Sequence, residues 1–465
     1  MKIVIVIFLL FSQLAFAQQD KSNLFGFATS NTFAYWDVKD TSFLNKVIAL
    51  NPKLLRFPGG AVGNFYHYGK SGYGFDFEEI DKYDAGRFSK RSRGLVKSTI
   101  KKGHTHNYLD DFIVLAKKTN AKAVLVANMF VDNDDIIKMI EKIKSNNIDI
   151  VGVELGSELS NRTFFAKGYT INDYIKSAKK CSDKIKEKFP NIKTAIVAAP
   201  LVNKKNHRHT VWNNKLVKMD FYDAIIIHSY ARVVKGKKEF GQMLTEIPEG
   251  NSKEEAFDLY KARIIKYFSK DYPNEVQEYY GLFKKPIWVT EWNLQISWTT
   301  GNTTLQSLYV AQYFLELLSN TQLENIELTT FHNLGGRDYS GSIFRNNSDT
   351  LEIQSTYNTL NIIGSVFHYD NISVRKEVIK DQIYKYQIFS KQKRVAQLVI
   401  NWSDKKYLSR NKPSKKVKII SNYSTNLFDK ANINGGLMSQ SYIMQHDFLV
   451  ECLPYSLTLT TYLDE

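Results

Sequence analysis

Short apolar runs alternate along the chain with longer segments in which apolar residues recur every three or four positions. The eight runs are Asn23–Ser30, Lys53–Gly60, Lys122–Met129, Ile150–Glu158, Lys193–Pro200, Ala224–Tyr230, Pro286–Asn293 and Glu327–Leu334. Continuous apolar runs of this length are typical of buried parallel strands. The segments between them predict amphipathic helices, most clearly at Tyr108–Thr119, Asp134–Ser145, Ile171–Phe189, Glu254–Phe268 and Leu305–Leu318.

Eight strand and helix units favour a closed (β/α)8 TIM barrel, of the α/β class, over an open doubly wound sheet. A nucleotide-binding open sheet would carry a Gly-rich phosphate turn after its first strand, and this sequence has none. After about residue 364 the pattern changes to short alternating strands, as at Gln382–Phe389, Arg394–Ile400, Lys416–Ser421 and Phe448–Glu451. We therefore predict a barrel over residues 18–364 and an antiparallel β-sandwich over residues 365–465.

The first seventeen residues have the features of a secretory signal peptide. Lys2 precedes an apolar run over residues 3–11, and Ala15-Phe16-Ala17 forms a small-x-small cleavage signature before Gln18. No later stretch has the roughly 18 unbroken apolar residues of a membrane span, so we expect a secreted or periplasmic protein. Cys181 and Cys452 could form one disulfide, but two cysteines do not make a disulfide framework.

Polar residues gather at the ends of the apolar runs, where a (β/α)8 barrel carries its chemistry. The strand-end residues are Arg56, Asn128, Glu158, His228, Tyr230, Glu291, Trp292 and His332. Any one of them could simply make a polar contact at the barrel rim, but agreement among six strands favours a functional site. A pair of carboxyl groups facing one cleft, here Glu158 and Glu291, is the smallest set of side chains needed to break a glycosidic bond.

Four motifs give the chain a resemblance to a known group of enzymes. They are Leu55-Arg-Phe-Pro-Gly-Gly60, Glu154-Leu-Gly-Ser-Glu158, His228-Ser-Tyr230 and Trp288-Val-Thr-Glu-Trp292. Together with the layout over residues 23–465, they resemble the retaining glycoside hydrolases of the large (β/α)8 clan, whose acid/base ends strand four and whose nucleophile ends strand seven. Within that clan, the chain most resembles the heparanase and β-glucuronidase group, and next the α-L-arabinofuranosidases.

The resemblance implies that Glu158 is the general acid/base and Glu291 the nucleophile, with carboxyl groups about 5 Å apart. Arg56 and Tyr230 would keep Glu291 ionised, whereas Glu158 would need a raised pKa to donate its proton. Glu154 is the rival candidate for the acid, because the two-residue period of a strand places it on the same face as Glu158. It would lie below the cleft, so we expect a structural carboxylate there. Further sugar contacts are expected from Asn128, His228, Trp292 and His332, with packing as the alternative for Trp292.

One residue departs from the clan pattern. The clan places Asn immediately before the acid/base, where its amide binds the sugar 2-hydroxyl, and this chain has Ser157. Three interpretations are open: a different sugar at the cleaved position, a weakened enzyme, or a protein that binds sugar without cleaving it. Because both glutamates are present, we favour the first and include Ser157 among the sugar-binding residues.

The net charge of +16 is less informative than the position of the basic residues. Residues 87–102 contain seven Lys or Arg, residues 201–219 contain five, and neither segment contains an acid; Arg232, Lys235, Lys237 and Lys238 follow. All three segments leave the predicted catalytic face, so we expect the partner to be an anionic polysaccharide or oligosaccharide. Predicted export and a carboxylate-lined cleft argue against nucleic acid. No feature of the sequence assigns an oligomeric state.

The sequence offers little support for a metal site or a serine nucleophile. The pairs His104 with His106 and His207 with His209 could be part of a zinc site, but neither has an evident third ligand in the sequence, so we expect exposed loop histidines. The chain has no Gly-x-Ser-x-Gly nucleophile motif. We therefore expect a retaining glycosidase that acts on an acidic glycan without a metal or other cofactor. The alternatives are a retaining hydrolase of a neutral glycan, with arabinofuranosidase or agarase-like activity, and a glycan-binding protein on the same scaffold.

Overall fold

The computed structural model describes residues 21–239, 242–380, 382–410, 417–430, 438–444 and 449–463. The predicted signal segment, residues 1–17, lies outside this range. Within it, eight parallel strands close into a barrel, which confirms the predicted fold. In chain order, β1 to β8 are Gly26–Ala28, Leu54–Phe57, Lys122–Val126, Ile150–Leu155, Lys193–Val197, Ala224–Ala231, Ile287–Leu294 and Ile326–Phe331.

Most strands are shorter than predicted, because the polar residues at their ends leave the sheet and form the loops of the cleft. β4, for example, ends at Leu155, three residues before Glu158. β6 and β7 are the exceptions, since they stay paired as far as Ala231 and Leu294. This pairing places His228 directly beside Glu291 in the sheet.

Helices cover the barrel and begin at side-chain caps that the sequence supplies. Thr170 forms a capping box with Asp173, and Ser252 caps the helix that follows it. The helices are Thr32–Tyr35, Thr41–Leu50, Phe77–Tyr83, Ser89–Lys101, Tyr108–Thr119, Asp134–Ser145, Arg162–Phe165, Ile171–Lys188, Arg208–Leu216, Lys253–Lys266, Tyr272–Phe283, Thr304–Ser319 and Thr356–Val366. All five predicted helices are present among them.

The predicted helix Glu254–Phe268 is part of a longer helical run. Helix Lys253–Lys266 passes through a π-helical turn, Tyr267–Asp271, into helix Tyr272–Phe283. Pro273 stands at the start of the last segment, where its missing N–H is tolerated. The turn directs Tyr267 toward β6, where its hydroxyl lies 2.7 Å from the Ser229 hydroxyl. The irregular turn therefore lies at the wall of the cleft described below.

The C-terminal region is an antiparallel β structure, as predicted. Its six-stranded sheet has the order Ile372–Lys380, Ile383–Ser390, Lys393–Asn401, Ser456–Tyr462, Val417–Tyr423 and Met438–Met444. Strands Tyr407–Arg410 and Leu449–Cys452 form a second, two-stranded sheet. Cys181 and Cys452 are both free and buried, so the disulfide that the sequence allowed is not formed.

The six-stranded sheet packs directly against the barrel helix Thr304–Ser319. Trp402 Nε1 donates to Gln312 Oε1 at 2.8 Å, and the Tyr386 hydroxyl donates to Glu316 at 2.9 Å. Residues 304–318 of this helix are all buried, on every face. Barrel and sheet therefore share one hydrophobic core.

Two smaller sheets follow strands of the barrel. A hairpin of Gly236–Glu239 and Gln242–Glu246 follows β6, and a sheet of Gly335–Gly336, Phe344–Asn347 and Thr350–Ile353 follows β8. Within the described residues, no helix has both the length and the apolar character required to cross a bilayer.

Candidate active site

A cleft with a volume of 810 Å³ opens at the carboxyl ends of the barrel strands. Glu158 and Glu291 both line it. One oxygen of each carboxylate and one ring nitrogen of His228 lie within 4.8 Å of one another. A spacing of about 5 Å between two carboxyl groups suits nucleophilic displacement, whereas a carboxylate that activates water needs a wider gap.

Glu291 is held on both carboxylate oxygens. Arg56 Nη1 donates to Oε1 at 2.9 Å, and the Tyr230 hydroxyl donates to Oε2 at 2.8 Å. Nδ1 of His228 and of His332 lies 3.6 and 3.7 Å from Oε2. Burial acts to raise the pKa of Glu291, but the charges of these histidines and of Arg56 outweigh it and hold the pKa well below its usual range. The carboxylate is therefore ionised at neutral pH.

Arg56 lies beneath the cleft and joins Glu291 to a second carboxylate. Its side chain is fully buried, and it contacts Glu154 through Nε at 2.6 Å and through Nη2 at 2.8 Å. The Thr290 hydroxyl also donates to Glu154, at 3.0 Å. Glu154 has no exposed surface, so these contacts agree with a structural carboxylate.

Ser157 does not face the cleft. It is fully buried, and its hydroxyl accepts a hydrogen bond from Arg56 Nη2 at 3.2 Å. Its backbone is fixed by Asn64, whose amide accepts from Ser157 N at 2.8 Å and donates to Ser157 O at 2.6 Å. The short side chain is thus part of the floor of the site. The expected sugar contact of Ser157 is not available in this arrangement.

Glu158 projects from the turn after β4. It adopts a left-handed backbone conformation with φ of 50°, two residues after Gly156 at φ 87°. Its Oε2 accepts from Asn161 Nδ2 at 2.7 Å and from Arg87 Nη1 at 3.3 Å, and its Oε1 lies 3.1 Å from His228 Nδ1. The carboxylate remains 31% exposed, which leaves it accessible to a ligand.

The pKa of Glu158 differs from the expectation of a raised value. Its partly buried position acts to raise the pKa, but the hydrogen bond with His228 and the charge of Arg87 outweigh this and lower it. The pKa of His228 is raised, because the two neighbouring carboxylates outweigh the effect of burial. Both shifts favour an ionised Glu158 beside the His228 ring.

No protein-family model matches the chain, and no curated protein matches it. Solved structures do. The GH51 arabinofuranosidase from Xanthomonas axonopodis pv. citri superimposes with a TM-score of 0.64 at 10% identity, over 96% of this chain and 97% of that one. The family 51 α-L-arabinofuranosidase AbfB from Bifidobacterium longum gives a TM-score of 0.62 at 9% identity, over the same shares of the two chains, 96% and 97%.

A third similar structure has a different substrate. The 4-O-α-L-rhamnosyl-β-D-glucuronidase from Fusarium oxysporum 12S superimposes with a TM-score of 0.58 at 13% identity, over 96% of this chain and 97% of that one. At these identities the likeness shows a shared fold. Over the part of the chain that superimposes, the barrel and the C-terminal sheet together therefore have the architecture of these glycoside hydrolases.

Of the predicted sugar contacts, His228, Tyr230 and His332 line the cleft, and Asn128 and Trp292 do not. Trp292 follows Glu291 on β7, so it points to the opposite side of the strand. It is fully buried and stacks on Tyr313 with ring centroids 3.7 Å apart, which corresponds to the packing alternative. Asn128 donates to Glu79 at 2.9 Å and has 7% exposure.

The histidine pairs also differ from the sequence expectation. The His104 side chain is only 10% exposed, and His209 is buried, so neither is an exposed loop histidine. Asp111 supplies the third potential ligand that the sequence did not reveal near His104 and His106. Asp111 already accepts a hydrogen bond from His106 Nε2 at 2.8 Å, which accounts for this contact without a metal.

Sequence reasoning missed Arg87, Asn161 and Asn64 as site residues. Asn161 stands three residues after Glu158, and Arg87 begins the first basic segment, so both had a signal in the sequence. Asn64 had no such signal in the sequence. Its role depends on the short 3₁₀ helix over residues 60–65, which places its amide against Ser157 in the turn after β4.

We expect Arg87→Met to move the alkaline limb of the pH profile of activity to higher pH. Removing the guanidinium raises the pKa of Glu158, so the carboxyl group stays protonated to higher pH, by about one pH unit for a close charge. The measurement is kcat/KM against pH on a substrate whose leaving group needs a proton. Arg93→Met, which removes an arginine that contacts Asp81 outside the cleft, is the control. An unshifted alkaline limb would contradict the role of Arg87.

Proposed function

We propose that this protein is a retaining glycosidase that acts on an acidic glycan. The observation that carries the proposal is the pair of carboxylates within 4.8 Å at the ends of β4 and β7. In this mechanism Glu291 attacks the anomeric carbon while Glu158 protonates the departing oxygen. Glu158 then removes a proton from water, which attacks the anomeric carbon and releases the sugar from Glu291.

The ionised state of Glu158 in the free protein is compatible with this mechanism. Glu158 must gain a proton before it can act as an acid, and His228, whose pKa is raised by the two carboxylates, lies 3.1 Å away. Arg87 stabilises the ionised form of Glu158. A substrate carboxylate or sulfate that draws Arg87 away would raise the pKa of Glu158 and favour transfer of the proton from His228. An anionic substrate would thereby favour protonation of Glu158, the acid that cleaves it.

Arginines at the rim of the cleft support the acidic class of substrate. Each of the three basic segments contributes to the cleft lining, through Arg87 with Arg91, through Arg208 and through Arg232, and Arg162 adds a further one. Among the described residues, Arg91, Arg162 and Arg232 form no ion pair, so their charge is available to a ligand. Their side chains are exposed. These features favour uronate or sulfate groups on the glycan.

A neutral glycan is the second candidate. Two of the similar structures are arabinofuranosidases, and they superimpose slightly better than the rhamnosyl-glucuronidase does. An arabinofuranosidase or agarase-like activity would use the same two glutamates. The rhamnosyl-glucuronidase and the unpaired arginines favour the acidic substrate, as in the heparanase and β-glucuronidase group.

Product release from a panel of glycans tests the proposal. The panel would hold alginate, polygalacturonate, chondroitin sulfate and heparan sulfate, with arabinan and agarose as neutral members. We expect cleavage of an acidic member with retained anomeric configuration. Cleavage of neutral members alone would leave the mechanism and overturn the acidic substrate. Binding of a panel member without any cleavage would replace the enzyme with a glycan-binding protein.

We expect replacement of Arg91, Arg162 and Arg232 by glutamine to raise KM for the acidic substrate about 10-fold. Three exposed charge contacts at roughly 0.5 kcal/mol each give this factor. The variant should also show a weaker dependence of KM on salt, because fewer charges are screened. The control replaces Lys97, Lys218 and Lys237 by glutamine, which removes the same net charge outside the cleft. Equal effects of the two triple variants would show that only net charge matters.

Export belongs to the same proposal. We propose that residues 1–17 direct secretion and are removed before Gln18, because a polymeric glycan is encountered outside the cytoplasm. N-terminal sequencing of the protein recovered from its native cell would show Gln18 as the first residue. An intact Met1 in the functional protein would refute cleavage at this position.

A further inference from the structure

Trp298 is an exposed aromatic residue beside the cleft. Its side chain is 67% exposed, whereas the other five tryptophans are at most 5% exposed. It stacks on Tyr339, with ring centroids 5.1 Å apart and planes 24° from parallel. One face of the indole is thus supported by Tyr339, and most of the side chain remains open to solvent. An exposed indole that is supported on one face in this way offers a flat apolar surface to a ligand.

The loop that carries Trp298 is fixed from two sides. Glu246, in the hairpin after β6, accepts from Trp298 N at 2.9 Å and from the Ser297 hydroxyl at 2.5 Å. Lys430, from the C-terminal region, donates to Trp298 O at 3.1 Å. Because the backbone is held in this way, the indole cannot easily turn inward. A ligand that stacks on it loses little free energy to ordering the loop.

The position of Trp298 connects it with the cleft. Gln295 and Ile296, in the same loop, line the cleft that holds Glu158 and Glu291. Asp338, which precedes Tyr339, lines it as well. The stacked pair therefore stands at the rim, where a polymer chain that leaves the catalytic pair would pass.

The charges around Tyr339 match an acidic polymer. Lys430 Nζ lies 4.7 Å from the ring centroid of Tyr339, and Arg345 Cζ lies 5.1 Å from it. Arg345 is paired with Glu352 at 2.7 Å, so its charge is partly used. Lys430 has no carboxylate partner among the described residues, and its side chain is exposed. An ammonium beside an open aromatic face can bind a carboxylate or sulfate on a stacked sugar.

We propose that Trp298, supported by Tyr339, is a stacking subsite for a sugar ring of the glycan chain outside the cleaved linkage, and that Lys430 binds an acidic group of that sugar. The C–H face of a sugar ring is apolar and fits flat against an indole, while its hydroxyls remain in water. This inference rests on the proposed glycan hydrolysis. It makes the enzyme selective for polymers, because a short substrate cannot reach both the catalytic pair and the subsite.

The test compares long and short substrates. For wild type and Trp298→Ala, kcat/KM is measured on the polysaccharide that the panel identifies and on a 4-nitrophenyl glycoside of its cleaved sugar. We expect the ratio of the polymer value to the short-substrate value to fall about 10-fold or more in Trp298→Ala. Trp298→Phe should restore most of the ratio, since it retains an aromatic face. Leu408→Ala, which truncates an exposed apolar residue in the C-terminal sheet, is the control. An unchanged ratio in Trp298→Ala would overturn the subsite.

A second measurement separates this inference from the proposed function. Acrylamide quenching of tryptophan fluorescence is recorded in Glu291→Gln with and without alginate or chondroitin sulfate. Because Trp298 is the one largely exposed tryptophan, we expect the polymer to protect the accessible fraction and Trp298→Ala to remove that fraction. Protection without hydrolysis by the wild-type protein would retain the subsite and reject the enzyme. Hydrolysis of the polymer without protection would reject the subsite and retain the enzyme.

Discussion

Replacing Glu291 with glutamine is expected to lower kcat for glycan hydrolysis by about 10⁴- to 10⁶-fold, the range typical for loss of a nucleophile or an essential proton-transfer group. Glutamine preserves the shape of the side chain and its contact with Tyr230, but it cannot form the glycosyl ester. The measurement is the initial rate of product release by the purified variant. Glu324→Gln, on an exposed residue after helix Thr304–Ser319, controls for the loss of one negative charge.

The two glutamates should respond differently to the leaving group. Glu158→Gln removes the proton donor of the first step and the base of the second, so it should reduce activity on natural glycans about 10²- to 10⁴-fold. It should reduce kcat/KM much less on aryl glycosides that leave as stable phenolates, because kcat/KM reports the first step and these leaving groups need no proton. Glu291→Gln should reduce activity on both classes alike, because the nucleophile is needed whatever leaves. Equal sensitivity of both variants to the leaving group would refute this assignment of roles.

Replacing Arg56 with methionine is expected to destabilise the fold by about 3–5 kcal/mol, the usual result of removing one partner of a buried ion pair. The guanidinium is fully buried between Glu154 and Glu291, so its loss leaves two carboxylates without their cation. The free energy of unfolding is measured by denaturant titration at neutral pH. Arg93→Met removes a surface arginine whose side chain is 53% exposed, and it should cost less than about 1 kcal/mol.

The pH dependence provides a further check on Arg56. In the wild-type protein the folded-state pKa of Glu291 is lowered, so its stabilising contribution is present at neutral pH and is lost as the pH falls through that pKa. In Arg56→Met the Glu291 carboxylate takes up a proton more easily, because the charge that lowered its pKa is gone, and protonation removes the unpaired charge. The difference in stability between the two proteins should therefore narrow in acid. A constant difference from neutral to acidic pH would show that Arg56 acts through packing alone.

The barrel could be predicted because the signal for each of its strands lies in a short continuous stretch of sequence. Each strand is a continuous apolar run, and the two candidate catalytic glutamates stand at or near the ends of two of those runs. The orientation of Trp292 could have been read from the alternation of side chains along β7, which sends adjacent residues to opposite sides. The burial of Ser157 could not, because it depends on contacts with Asn64 and Arg56, which come from distant parts of the chain.

The pKa of Glu158 was also beyond the sequence. It depends on Arg87, 71 positions away in the chain, and on His228, 70 positions away, and only the fold brings both to one carboxylate. The packing of helix Thr304–Ser319 had a partial signal, since its apolar residues are not confined to one stripe. A helix of that kind is buried on all sides, which predicts a further layer over the barrel. The C-terminal sheet is that layer.

The residues of the cleft differ in how well they should tolerate substitution. Arg56 supports the fold and the candidate nucleophile at once, so a substitution there would affect both. Arg91, Arg162 and Arg232 stand on exposed positions and form no ion pair with a carboxylate of the described residues, so they can be exchanged at little cost to folding. A lineage with this scaffold could therefore move from one glycan to another through rim residues alone, while the chemistry below stayed the same. Because the buried residues beneath β4 and β7 keep the two glutamates in place, single substitutions at the rim would be enough to change which glycan is preferred.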